Sequence, residues 1–205
     1  MESDIKNSLT TIIKKSLSNS LTYSDYRIYV TALLKKGLVT GHEQTEALVH
    51  YTELNEVRMR RLDKTIQVTD EVRNFLENIN KEYLWLVISE GWCGDAAQIL
   101  PVINKMAIVS NKIDFRIVLR DNNDELMHLF LTNGTKSIPI LILVDKKTNA
   151  VINYFGPRPQ DAKQLILDYK EEHGIIDETA KINLQKWYLS DKGISTQNEI
   201  MALMK

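Results

Sequence analysis

Residues 89–101 read SEGWCGDAAQILP, and they hold Cys93, the only cysteine of the 205-residue chain. The stretch leaves an apolar run, YLWLVIS at 83–89, turns at Gly91, and enters a helix-like segment that contains Pro101. A near-continuous apolar run of that length is what a central strand covered on both faces requires. In the first turn of the following helix, the unpaired N–H groups of Gly94, Asp95 and Ala96 aim their positive ends at the sulfur. That placement favours thiolate, the nucleophilic form. Glu90 and Asp95 lie beside it in sequence and act the other way, because their charge favours the neutral thiol. Taken by residue type alone, a single cysteine is a small buried hydrophobe.

Outward from this stretch the pattern continues as strands and helices. A helix is expected from about Gly94 to Val109, bent by Pro101. IDFRIVL reads as a strand, NDELMHLFLTNG as a helix closed by Gly134, and IPILILVD as another strand. DKKTNA and VINYFG complete a hairpin, and PQDAKQLILDYKEEHG gives a further helix. The order βαβα–ββα, parallel first and antiparallel second, predicts an α/β sandwich. Upstream, TIQV at 65–68 reads as a short edge strand, and Asp70 as the cap of a helix through Phe75, Leu76 and Ile79.

Residues 1–64 read as a helical extension. Leu9, Ile12, Ile13 and Leu17 recur at helical spacing. Ser24 is placed to cap a second helix carrying Tyr26, Tyr29, Val30, Leu33 and Leu34, ending at Gly37. A third helix is expected from about His42 to Leu62, with Leu48, Tyr51, Leu54, Val57 and Met59 facing inward. Three such helices suggest a small bundle or a clasp on the next domain. The expected organisation is 1–64 helical extension, 65–172 α/β domain and 173–205 helical tail, with Trp187 and Tyr188 anchoring the tail.

Composition narrows the function classes. With 26 Lys+Arg against 27 Asp+Glu the formal charge is -1, so no global field favours nucleic acid or an anionic membrane. The N-terminal residues carry no apolar h-region, and no stretch nears the roughly 20 apolar residues that span a bilayer. One cysteine cannot form an internal disulfide, so a cytoplasmic, soluble chain is expected. His42, His50, His128 and His173 have no metal-ligand spacing, so neither metal nor cofactor is implied. Arg58, Arg61 and Lys64 in RMRRLDK read as a solvated helix face. TGHEQTE reads as a helix cap with an acidic first turn, and Tyr23, Tyr26 and Tyr29 as one packing stripe. GTKS lacks the glycine and the lysine–hydroxyl pair of a phosphate-binding loop.

WCGDAAQILP resembles the active site of the thioredoxin superfamily, where a W-C-x-x-C turn opens a helix with a proline five residues past the second cysteine. Pro101 stands five residues after Ala96. TKSIPILILVD resembles the family's cis-proline loop, which places Ile138 and Pro139 opposite the cysteine, and NYFGPRP resembles its last strand-to-helix turn. Together with VLRDNNDELMHLFLTNGTKSIP, the WCGD turn is similar to a bacterial thioredoxin-like subgroup with helical N-terminal regions. The resemblance covers roughly residues 65–172 and implies a thioredoxin-like fold. Two positions depart from it: Ala96 replaces the resolving cysteine, and Val87 stands where many thioredoxins bury a proton-accepting carboxylate.

What the resemblance implies is therefore monothiol thiol–disulfide exchange at Cys93, finished by an external thiol. Trp92 would flank the sulfur, Gly94, Asp95 and Ala96 form the turn, and Ile138–Pro139 present the substrate groove. Arg120 and Arg158, at strand ends opening toward the site, are candidates to offset the carboxylates or to hold an anionic thiol-carboxylate. The partners expected are a disulfide-bearing protein or a small-molecule thiol, with a homodimer through the helical extensions compatible, and neither nucleic acid nor membrane. The alternative is a catalytically degenerate interaction scaffold with an inert thiol. Peroxide reduction ranks below both, because Glu90 stands where peroxidases of the superfamily carry threonine.

Overall fold

Strand β1, Tyr83–Ser89, is buried at all seven residues, as its unbroken apolar run requires of a strand with cover on both faces. It pairs in parallel with β2, Ile113–Leu119, and antiparallel with β3, Ile140–Asp145. β3 returns through a hairpin to β4, Val151–Phe155, with an irregularity between Leu143 and Val144. The sheet order is β2-β1-β3-β4. This computed structural model describes residues 2–205, with side chains from residue 9 onward. It is an α/β fold of the thioredoxin type with helical extensions.

Two helices carry the upstream extension onto the sheet: α1, Glu2–Leu17, and α2, Tyr23–Leu34, both contact β2. Between them Leu21 exchanges two 2.8 Å backbone hydrogen bonds with Ile117, so the segment adds a single bridge outside β2. α3, Glu46–Thr65, lies along α5, Gly94–Ala107, the helix that begins at Cys93 and continues through Pro101. α4, Asp70–Glu77, precedes β1, and the short α6, Asp124–His128, follows β2. Past β4 come α7, Gln160–His173, α8, Glu178–Asp191, and α9, Ile194–Met204. Trp85, Leu86 and Ile88 of β1 and Ile99, Leu100, Ile103 and Met106 of α5 are all fully buried in one apolar block, which the alternating side chains of β1 extend to both faces of the sheet. At about 1.5–3 kcal/mol per buried large apolar side chain, that block dominates the fold. Among the described residues, no helix is long and apolar enough to cross a membrane.

Several local expectations are corrected. Ile66–Val68 form no strand, although both apolar residues are buried. Their backbone finds a side chain instead of a ladder: Gln197 accepts from the Thr69 N–H at 3.0 Å and donates to the Gln67 carbonyl at 3.1 Å. Thr22 rather than Ser24 caps α2, accepting from the Asp25 N–H, and Thr69 rather than Asp70 caps α4. In both cases a threonine further upstream already has the extended backbone that a cap requires. α3 starts at Glu46, four residues later than expected, behind its cap Thr45. Its inward face is Thr52, Asn55, Glu56, Met59 and Leu62, whereas Val57 is 63% exposed. The helix expected to reach Gly134 stops at His128, and residues beyond it form turns with a Thr132–Thr135 bridge.

Candidate functional site

β1 delivers the chain to a tight turn, in which the Cys93 N–H donates to the Glu90 carbonyl at 3.2 Å. Cys93 is itself the N-cap of α5, in extended conformation, and its Sγ accepts from the Ala96 N–H at 3.5 Å. The thiol donates to the Ile138 carbonyl at 3.3 Å. The loop beyond, containing a cis Ile138–Pro139 peptide, thus faces the sulfur across the site. Ala96 is buried and adds only a methyl group to the helix turn.

The turn is held from the helical extension. Thr40 Oγ1 accepts from the Gly91 N–H at 2.8 Å, and its carbonyl accepts from Trp92 Nε1 at 3.1 Å. Asn55 of α3 donates to the Gly91 carbonyl at 3.0 Å. Glu90 is fully buried, accepts from the Asp121 N–H at 3.0 Å, and its carboxyl is pushed up by burial.

Asp95 forms the charged clamp beside the sulfur. Arg158 donates to one of its oxygens through Nε and Nη2, both at 2.8 Å, and Tyr188 of α8 donates to the other at 2.8 Å. Burial, then the Asp95 charge, keeps the Tyr188 proton on its oxygen. Arg120 turns to a different partner: it bonds Asp121 at 2.8 Å and lies 4.7 Å from the Trp92 ring centre. Of the two candidate arginines, Arg158 therefore joins the Cys93 environment through Asp95, and Arg120 braces Trp92.

The expectation of an acidified cysteine is overturned. Burial first, and the Asp95 charge second, push the Cys93 thiol up from an ordinary 9.0 to about 12. The Ala96 and Asp95 N–H groups and Arg158 pull it down but do not prevail. A helix N-terminus contributes at most about 2 kcal/mol, whereas full burial can disfavour the charged form by about 4–7 kcal/mol. Iodoacetamide alkylation of the native protein should accordingly be slow at neutral pH and accelerate up to a midpoint near about 12. A midpoint below 9 would show that the sulfur reaches solvent.

A pocket of about 720 Å³ opens next to Cys93 between α3 and α8, with Trp92, Gly94 and Asp95 in its lining. Arg58 and Arg61 line it as well; Arg58 is half-buried, which corrects its reading as part of a solvated face, whereas Arg61 and Lys64 are exposed. Tyr188, Asn55 and Thr40 were not singled out in the sequence for the site. Asn55 lies on a polar inward stripe of α3 with Thr52, Glu56 and Met59, spaced i, i+3, i+4 and i+7, which a search for apolar periodicity passes over.

Comparison with known proteins agrees with this fold. A structure of a Pseudomonas aeruginosa protein of unknown function superposes with a TM-score of 0.56 at 15% identity, covering 90% of this chain and 97% of that one. An HIV epitope-scaffold protein superposes at 0.54 with 18% identity, over 85% of this chain and 96% of the other. At such identities the likeness concerns the fold alone. A search of curated protein sequences finds no match. The family model for thioredoxin matches residues 41–173, a span that takes in the cysteine turn, the loop at Ile138–Pro139, the whole sheet and helices α3 to α7. The chain belongs to the thioredoxin family.

Proposed function

We propose that the protein is a W-C-G-D member of the thioredoxin family that lost its second cysteine at Ala96 and carries out monothiol exchange through Cys93. The observation that supports this reading is the position of Sγ: at the N-cap of α5, opposite the Ile138 carbonyl and on the edge of a pocket. Deprotonated Cys93 attacks one sulfur of a substrate disulfide, that S–S bond breaks, and the leaving thiolate takes a proton from water. The mixed disulfide persists, because the chain has no other thiol. A second, external thiolate then attacks the substrate sulfur and releases Cys93. A reducing compartment such as the cytoplasm would supply that thiol.

The raised thiol sets how such a protein would have to work. A rise from 9.0 to about 12 lowers the thiolate population at neutral pH about a thousandfold, and the more basic sulfur regains about twentyfold in intrinsic nucleophilicity. The net penalty is roughly fiftyfold against an ordinary cysteine. Seating a substrate in the pocket offsets it with room to spare, since well-oriented groups reach effective concentrations of about 10⁵ M and above. Selectivity would then come from binding, not from a generally reactive thiol.

Intact-mass measurement after incubation with a panel of small disulfides tests this. The expected result is one adduct on the wild-type chain, none on Cys93→Ser, and reversal on adding free thiol. If no disulfide in the panel modifies Cys93, the second reading holds: a binding module with a silent thiol. That reading is favoured by one observation, the burial of a thiol whose proton is donated to a backbone carbonyl.

A further inference from the structure

We infer that the pocket beside Cys93 binds a small organic anion with an apolar body, its acidic head held by Arg58 and Arg61. The inference builds on the monothiol reading in naming what sits next to the sulfur. Arg58 reaches over the active-site turn: a methyl group added at Gly94 would lie 3.8 Å from its Nη1. Across the pocket, Gln185 of α8 stands 3.9 Å from the same point. The Arg58 side chain donates to Asn55 Oδ1 at 2.9 Å, and among the described residues no carboxylate pairs with Arg58, Arg61 or Lys186. The other two cations of the lining are engaged, Arg158 with Asp95 and Lys181 with Glu178.

Two guanidinium groups three residues apart on one helix face repel each other. Arg58 is also half-buried, and burial followed by the Arg61 charge holds it below its ordinary value. A fork of N–H donors in that state matches the oxygens of a carboxylate or a phosphate. The rest of the wall is apolar and uncovered: Leu54, Ile182 and Leu189 line the pocket at 38%, 53% and 56% exposure. Its volume of about 720 Å³ falls in the range that encloses small molecules. Cationic head site and apolar wall together specify an amphipathic anion and leave a neutral or cationic ligand without a partner for the arginines.

Calorimetric titration of the full chain with octanoate, monooctyl phosphate and octanamide tests this. At least one of the two anions should bind saturably at one site, at least about tenfold tighter than the amide, as a charge-assisted hydrogen bond implies. Which anion binds tighter identifies the head group. Arg58→Gln should weaken it about tenfold or more, and Arg61→Gln, at an exposed position where folding is not at stake, should weaken it too. Arg60→Gln, outside the pocket, should leave it unchanged. Equal binding of the amide, absence of saturable binding by both anions, or full affinity in Arg61→Gln would overturn the inference. Saturable anion binding by a wild-type chain that no disulfide modifies would overturn the thiol reading alone, whereas a disulfide adduct on Cys93 without anion binding would overturn this inference alone.

Discussion

Asp95→Asn is expected to speed alkylation of Cys93 at neutral pH while weakening the fold by about 3 kcal/mol. The Asp95 charge is the main electrostatic influence holding the Cys93 proton in place, second only to burial. Removing it lowers the midpoint and leaves the Arg158 charge, now unneutralised, to favour thiolate further. The same change breaks an ion pair that joins the start of α5, the turn after β4 and, through Tyr188, α8. Taking one partner from a buried pair costs about 3–5 kcal/mol, and Arg158, with 29% of its side chain still in solvent, puts this case at the lower end. For a chain of this length that corresponds to a drop in Tm of about 6–12 °C. Thermal unfolding and iodoacetamide kinetics on the same variant read both effects. Unchanged or slower alkylation would mean that Asp95 does not hold the thiol neutral.

Gly156→Ala should cost more stability than any other glycine-to-alanine change near the site. Gly156 has φ +132, and a Cβ there would lie 2.2 Å from the Pro139 carbonyl oxygen and 3.2 Å from the Ile140 Cα. Both obstacles are backbone, so no side chain can swing aside. Strain in that region of φ,ψ space costs about 1–3 kcal/mol and overpacking a similar amount, giving about 2–6 kcal/mol in urea unfolding. The loop displaced carries the Ile138 carbonyl that accepts the Cys93 proton, so the thiol should also become more reactive. Gly134→Ala is the internal comparison. It has φ +77 with nothing within 4 Å of an added Cβ, and should lose only about 1 kcal/mol of left-handed strain. Equal losses in the two variants would show that the approach to Pro139 is not a fixed contact.

Much of the fold was legible because its signals are local. The apolar run of β1, the β3–β4 hairpin and the Gly174 that ends α7 with φ +76 all follow from periodicity and turn chemistry within a few residues. The segment TIQV misled for the opposite reason. Its alternation of apolar and polar residues is that of an edge strand, but the groups that satisfy its backbone belong to Gln197, 130 residues away in the chain from Gln67. RMRRLDK misled in the same way. Nothing in its composition says that Arg58 is half-covered, because the cover comes from α8 and the cysteine turn.

For the candidate site the division runs through a single atom. Sequence alone determined that Cys93 stands at the start of a helix, behind a central strand, with no second thiol to resolve it, because strand, turn and helix start are short-range properties. Only tertiary structure decided the state of its proton. The sulfur is enclosed by the Ile138 loop and drawn next to the Asp95 carboxylate. Desolvation by distant segments outweighs the dipole of the local helix. The arginines of the pocket were likewise visible as charges in the sequence, and only the packing of α3 against α5, with α8 across the opening, made them part of the pocket that also touches Cys93.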